Sequence, residues 1–150
     1  MLSASHNPGG LDADFGIKYN VRNGGPAPEA VTNRIFEHTL KITQYLTLDH
    51  PDIDLEHEGS VRLADTEVVV INPLTDYTEV IEELFDFEAL RALFQSGFRM
   101  QFDAMNAVTG PYAHYILEER LGATAGTVVN GTPLEDFGGH HPDPNQVNAA

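Results

Sequence analysis

Hydrophobic residues in this chain recur at two different periods, and the periods alternate along its length. Phe15, Ile17, Tyr19 and Val21 alternate with Lys18 and Asn20, the period-two pattern of a half-buried strand over 15–21. Asn23-Gly24-Gly25-Pro26 breaks it, and Pro28-Glu29 opens a helix. Proline fits a first helical turn and an acid complements the N-terminal dipole. Val31, Ile35, Ile42 and Leu46 share one face and carry this helix to about residue 46. The polar, charged stretch 49–65 predicts loop with room for one short strand. Val68-Val69-Val70-Ile71 is a β-branched run, as in a strand covered on both faces, and Pro73 ends it. Behind Thr75 and Asp76, helical spacing returns in Tyr77, Val80, Ile81, Leu84 and Phe85. A second helical segment uses Phe87, Leu90, Leu93 and Phe94 and stops at Gly97. Phe98, Met100 and Phe102 alternate once more. Pro111 opens a helix bearing Tyr112, Tyr115 and Ile116, with Gly122 beyond its end, and Thr127-Val128-Val129 is a last strand.

Alternating strands and helices predict an α/β fold, with mixed, mostly parallel sheets flanked by helices. The pattern restarts after Pro73, so two partial domains are expected, one over 1–75 and one over 76–150. Ser3-Ala4-Ser5-His6-Asn7-Pro8-Gly9-Gly10 is turn chemistry with no complete element before it, and we expect a truncated piece of a longer protein. A hydrophobic content of 41% lets the chain bury a core. Asp and Glu number 23 against 8 Lys and Arg, a net charge of −15, which argues against nucleic acid and against anionic membrane surfaces as partners. There is no cysteine, hence no disulfide, thiol nucleophile or cysteine-held zinc. No apolar run approaches bilayer length and no signal-peptide pattern opens the chain, so a cytoplasmic location is expected. Asn130-Gly131-Thr132 then reads as a chance glycosylation sequon.

The segment 3–10 carries the most chemistry. A serine hydroxyl is a weak nucleophile until a base, cation or metal stabilises charge on its oxygen. A histidine adjoins Ser5, and Pro8, Gly9 and Gly10 favour a fixed, exposed turn in which backbone N–H groups approach a phosphate closely. On composition alone such a cluster is most often simply a turn. Lys18 on its own reads as a solvent-facing strand lysine. His140-His141-Pro142-Asp143 could hold a transition metal. Adjacent side chains diverge, however, and spacing places no third ligand, so independent metal binding is not expected.

Longer blocks alter the weight of these features. The loop Ser3–Gly10, Asp14-Phe15-Gly16-Ile17-Lys18-Tyr19-Asn20 and Asn23-Gly24-Gly25-Pro26-Ala27 resemble the phosphoserine loop region of the α-D-phosphohexomutases, specifically the phosphoglucomutase branch. The likeness continues in Phe85-Asp86-Phe87, in Asp103-Ala104-Met105-Asn106-Ala107-Val108-Thr109-Gly110-Pro111-Tyr112, and in the segment Leu134 to Asn145. Ser3 stands where threonine is common in the family.

The resemblance implies an intramolecular phosphotransferase that interconverts glucose 1-phosphate and glucose 6-phosphate. It places Ser5 at the phosphoryl-carrying serine, His6 at the neighbouring active-site histidine and Lys18 at the strand lysine near the transferring phosphate. All three would contact the sugar phosphate. It also implies Mg²⁺, held partly through the phosphate on Ser5, and glucose 1,6-bisphosphate as activator and intermediate. The family's Asp-Gly-Asp-Gly-Asp metal loop does not occur here, nor do its sugar-recognition loop and C-terminal phosphate-binding domain. The chain alone is therefore expected to be an inactive fragment. Phosphomannomutase or another hexose specificity remains open, as does a non-catalytic scaffold relative. A dinucleotide-binding domain is disfavoured, because no Gly-x-Gly-x-x-Gly follows a strand. Oligomeric state is not legible.

Overall fold

The computed structural model describes Asp12 and residues 16–143; residues 16–70 fall in one compact unit, and Asp12 with residues 71–143 in a second. The α/β class holds, with four α-helices and four strands among the described residues.

In the first unit the expected strand over 15–21 reduces to isolated bridges, one of them between Asn20 and Pro26. Ile17 and Tyr19 are 70% and 54% exposed, so nothing described covers the face that the alternation assigned to a core. The chain instead reverses tightly. Val21 N–H donates to Gly25 O, Gly24 N–H to Val21 O, and Ala27 N–H to Tyr19 O. Gly24 has φ 83°, a left-handed value that glycine adopts without steric cost.

Helix α1 (Glu29–Thr39) begins after Pro28 with Glu29 in its first turn, as the sequence predicts, but ends seven residues short of Leu46. Thr39 Oγ1 donates back to Phe36 O, the local bonding by which threonine competes with helix continuation. Ile42 and Leu46 are exposed, so no described burial draws the helix onward.

Strands β1 (Gly59–Leu63) and β2 (Thr66–Val70) form an antiparallel hairpin, with Gly59 opposite Val70 and Leu63 opposite Thr66. Ala64, in the two-residue turn, has φ 49°. The β-branched run at 68–71 is thus a hairpin strand rather than one covered on both faces: Val68 and Val70 are half-buried, while Val69 and Ile71 face solvent.

The second unit holds all the buried side chains of the described residues. Helix α2 (Pro73–Leu84) starts earlier than Thr75: the Asn72 side chain accepts from Leu74 N–H, and Pro73 takes the first helical position. The rotation of α2 differs from the expected one. Thr78 is buried and Ile81 packs inward, but Tyr77, Val80, Leu84 and Phe85 are exposed. On that same side of α2, Glu82 pairs with the Arg120 guanidinium. Helix α3 (Phe87–Gln95) is capped by the Asp86 carboxylate, which accepts from Ala89 N–H, and the chain leaves it at Gly97 with φ 97°.

Phe87 and Phe94 of α3, with Leu121 and Ala123, form the core, ringed by Ile81, Leu90, Ile116 and Leu117. Strand β3 (Phe102–Asp103) pairs in parallel with β4 (Val128–Val129), so the alternation at 98–102 yields only its last residue as strand. Between them, α4 (Thr109–Ala113) runs directly into a π-helical turn over His114–Arg120, where Leu121 N–H reaches back five residues to Ile116 O.

Candidate active site

Of the three residues expected to act on phosphate, Ser5 and His6 lie outside the described residues, as does Ser3. Lys18 is described, and its side chain is exposed. It lines a shallow depression of about 260 Å³ with Tyr19, Asn20, Pro26, Ala27 and Thr32. The rim is fixed by its own polar contacts. Asn20 Nδ2 donates to Gly24 O at 2.9 Å, and Gly25 N–H donates to Asn23 Oδ1 at 3.0 Å. The Asn-Gly-Gly-Pro sequence thus builds a rigid reversal that brings Pro26 and Ala27 back beside the segment bearing Lys18.

Sequence reasoning took Asp103–Tyr112 only as a block of likeness and missed a second polar site, in the other unit. Parallel strands end their hydrogen-bonding together, and ligands commonly lie beyond their carboxyl ends. Beyond β3 and β4, Asp103, Asn106, Asn130, His140 and His141 line a depression of about 190 Å³ with Met105 and Phe137. Asp103 Oδ1 accepts from both Met105 N–H and Asn130 Nδ2, each at 2.9 Å, which ties the ends of the two strands together. Asn106 Nδ2 donates to Thr132 O, its N–H to Asn130 O, and its own carbonyl accepts from Leu134 N–H. Among the described residues five non-glycine positions have positive φ, and Met105 (54°), Asn106 (52°), Asn130 (50°) and Phe137 (55°) all fall here. Non-glycine residues rarely adopt such angles, at a cost of roughly 1–3 kcal/mol each. Asn106 and Asn130 tolerate them best, and an Asn after a strand was the one sequence signal available.

Glu118, in the π-helical turn, supports this arrangement from behind. Its Oε1 accepts from the backbone N–H of Val128 and of Gly126, each at 3.0 Å, and its Oε2 meets His114 Nδ1 at 3.0 Å. The Val128 hydrogen bond, then the His114 contact, hold the Glu118 carboxyl below the usual carboxylate range. Gly110 and Gly131 let α4 meet the loop after β4: a Cβ on Gly110 would lie 1.8 Å from Gly131 O.

Among the described residues no group of three or more His, Asp or Glu is placed to hold a metal ion, His140 and His141 included. The described residues by themselves offer no carboxylate set that would hold magnesium. No helix of the described residues is long and apolar enough to cross a membrane.

Comparison with known proteins agrees with the motifs. The profile of the family described as phosphoglucomutase/phosphomannomutase, alpha/beta/alpha domain I, matches residues 1–46. A phosphoglucomutase of Rhizobium radiobacter is 57% identical over 149 residues, covering 99% of this chain and 28% of that protein. The chloroplastic phosphoglucomutase 1 of Marchantia polymorpha is 51% identical over 97% of this chain and 22% of its own length. Relatives named cytoplasmic are matched as well. The crystal structure of the exocytosis-sensitive phosphoprotein pp63/parafusin, a phosphoglucomutase from Paramecium in its open form, superposes with a TM-score of 0.89 at 46% identity. The match covers 99% of this chain and 28% of that one. The chain thus spans about a quarter of the length of the relatives it matches. The chain is thus similar over nearly its whole length to one part of phosphoglucomutases, and its first 46 residues match the phosphoglucomutase/phosphomannomutase domain I family.

Proposed function

We propose that this chain supplies the phosphoryl-carrying segment of a phosphoglucomutase. The observation that carries the reading is the Ser3–Gly10 motif, standing inside a stretch of about 57% identity to a phosphoglucomutase over nearly all 150 residues. In this reading the P–O bond to Ser5 Oγ breaks as a sugar hydroxyl takes the phosphoryl group, giving glucose 1,6-bisphosphate. The other phosphate of the bisphosphate then returns to Ser5 Oγ, so glucose 1-phosphate and glucose 6-phosphate interconvert with no net loss of phosphate. His6 contacts the reacting sugar phosphate. Lys18, exposed at the edge of its depression, neutralises charge spreading over the transferring group, which is most of what phosphoryl transfer asks of a protein. Mg²⁺ and glucose 1,6-bisphosphate belong to this reading, with the phosphate on Ser5 as one oxygen ligand. Residues 1–75 and 76–150 then belong to the first and second domains of the enzyme, and its location is cytoplasmic.

The test is a coupled assay of glucose 6-phosphate formation by the full-length protein containing this chain. Lys18→Met should lower kcat/KM about 100-fold, the usual loss on removing one charge-stabilising group. A change below about threefold contradicts the role given to Lys18. Faster turnover of mannose 1-phosphate than of glucose 1-phosphate would move the specificity to phosphomannomutase. The 150 residues alone should show no mutase turnover, because alignment by the rest of the cleft contributes roughly 7–11 kcal/mol in such reactions.

A further inference from the structure

We propose that Asn23 is a site of spontaneous deamidation, and that the fold directs this reaction to Asn23 while shielding Asn130. The Asn-Gly pair occurs twice in the chain, at Asn23-Gly24 and Asn130-Gly131, and both asparagines are exposed. In such a pair the next backbone nitrogen can attack the side-chain amide carbon, because glycine puts no Cβ in its way. At Asn23 a bond forms between Gly24 N and Asn23 Cγ while the Cγ–Nδ2 bond breaks. Nδ2 leaves as ammonia, carrying off the Gly24 N–H proton, and a cyclic imide remains. Water then opens the imide. Addition at Cγ gives aspartate. Addition at the Asn23 backbone carbonyl carbon gives isoaspartate, in which the main chain runs through Cβ and Cγ.

The surroundings of the two asparagines separate them. Negative charge develops on Oδ1 as the nitrogen attacks, and a backbone donor already aimed at that atom stabilises it. Asn23 Oδ1 accepts from Gly25 N–H at 3.0 Å, while Asn23 Nδ2 and the Asn23 carbonyl oxygen make no hydrogen bond among the described residues. The amide is thus free to leave and the peptide plane free to turn. Gly24 N–H must first release Val21 O, a 2.8 Å bond in an exposed turn, which slows attack by about tenfold or less. The donor on Oδ1 offsets that loss. At Asn130 the arrangement is reversed. The group that must leave, Nδ2, donates to Asp103 Oδ1 at 2.9 Å, so a carboxylate rather than a donor faces the amide. Asn106 N–H holds the Asn130 carbonyl oxygen at 2.9 Å. A Cβ on Gly131 would lie 2.3 Å from His114 Nε2, and one on Gly110 would lie 1.8 Å from Gly131 O. Turning the 130–131 peptide onto Cγ would therefore open the packing against α4.

The reversal at 23–26 is closed by Val21 N–H on Gly25 O and by Ala27 N–H on Tyr19 O. Isoaspartate at position 23 lengthens that closed turn by one carbon and adds a carboxylate to a chain already at −15. The segment that sets Pro26 and Ala27 beside Lys18 is thus a place where the chain ages.

The test is to incubate the full-length protein warm in mildly alkaline buffer, folded and in urea, and to follow both Asn-Gly peptides by mass spectrometry. In urea both pairs lose their surroundings and should convert at similar rates. In the folded protein Asn23 should convert at least about tenfold faster than Asn130, the scale of one hydrogen bond to developing charge. An isoaspartate-specific methyltransferase should label the Asn23 peptide, and Asn23→Gln, which would have to close a larger ring, should remove that label. A folded-state ratio below about tenfold, an Asn23 that stays intact while the urea sample converts, or an unlabelled Asn23 peptide overturns the proposal. None of these readouts uses turnover, so the result stands apart from the mutase reading.

Discussion

Phe36 and Phe94 are the same residue in helices of similar length, yet Phe36 is 61% exposed and Phe94 8%. The difference runs through the two units. Residues 16–70 hold the Lys18 segment and contain no buried side chain, while 71–143 hold a core and every buried position of the described residues. Helix α1 is set by its Pro-Glu start and local hydrogen bonds, whereas α2 and α3 are held by what they pack against. Local signals can place a helix, but only long-range burial says how far it runs and which way it faces.

Truncating the two phenylalanines tests this directly. Phe94→Ala should destabilise the chain by about 3–5 kcal/mol, as for deletion of a core aromatic. Phe36→Ala should change stability by less than about 0.5 kcal/mol, as for an exposed site. Chemical denaturation of the 150-residue chain measures both. A large loss at Phe36 would mean that α1 is covered and that the contrast is wrong.

Gly110→Ala should cost somewhat less, on the order of 1–3 kcal/mol, because the new methyl must push α4 off the backbone of Gly131. No equivalent cost is expected at Gly59 of β1, where a Cβ meets nothing within 4 Å. Equal losses at the two glycines would remove the distinction between a packed unit and an open hairpin.

Glu118 gives the smallest effect and a pH signature. Its folded-state pKa is lowered, so its stabilisation is fully present above its ordinary value of 4.5 and is lost as pH falls through the lowered folded value. Glu118→Gln keeps an acceptor for Gly126 and Val128, so it should flatten the acid limb of the stability curve while reducing stability at neutral pH only modestly. An unchanged acid limb would show that the carboxylate does not hold β4 in place. Asp54 also has a lowered pKa, through Glu56 N–H and then His57, but it is exposed, and no comparable change is expected from Asp54→Asn.

How much of this was legible beforehand follows the same division. Gly97 reads as a helix stop and is one, whereas Pro73, which reads only as the end of a strand, opens α2, and the caps Asn72 and Asp86 were equally local signals that went unread. The hydrophobic spacing of α2 was misleading, because Tyr77, Val80 and Leu84 do form a stripe, but Arg120, 38 residues on, pairs with Glu82 on another face. No local pattern announces such a pair. Likewise, the π-helical turn at His114–Arg120 arises where Glu118 reaches the backbone of β4, a contact across ten residues. For the candidate sites, the motif proposed to handle phosphate was readable because it is one continuous string. The polar depression was not, since Asp103, Asn130 and His141 meet only once β3 and β4 pair.

The central claim is that Ser5 carries the phosphoryl group of a glucose phosphate mutase, and peptide mass spectrometry of the full-length protein tests it most directly. After incubation with glucose 1,6-bisphosphate, one phosphate should be found on the peptide containing Ser5. Ser5→Ala should remove both that phosphate and the mutase activity. An unphosphorylated Ser5 in an active enzyme, or normal turnover by Ser5→Ala, would contradict the account.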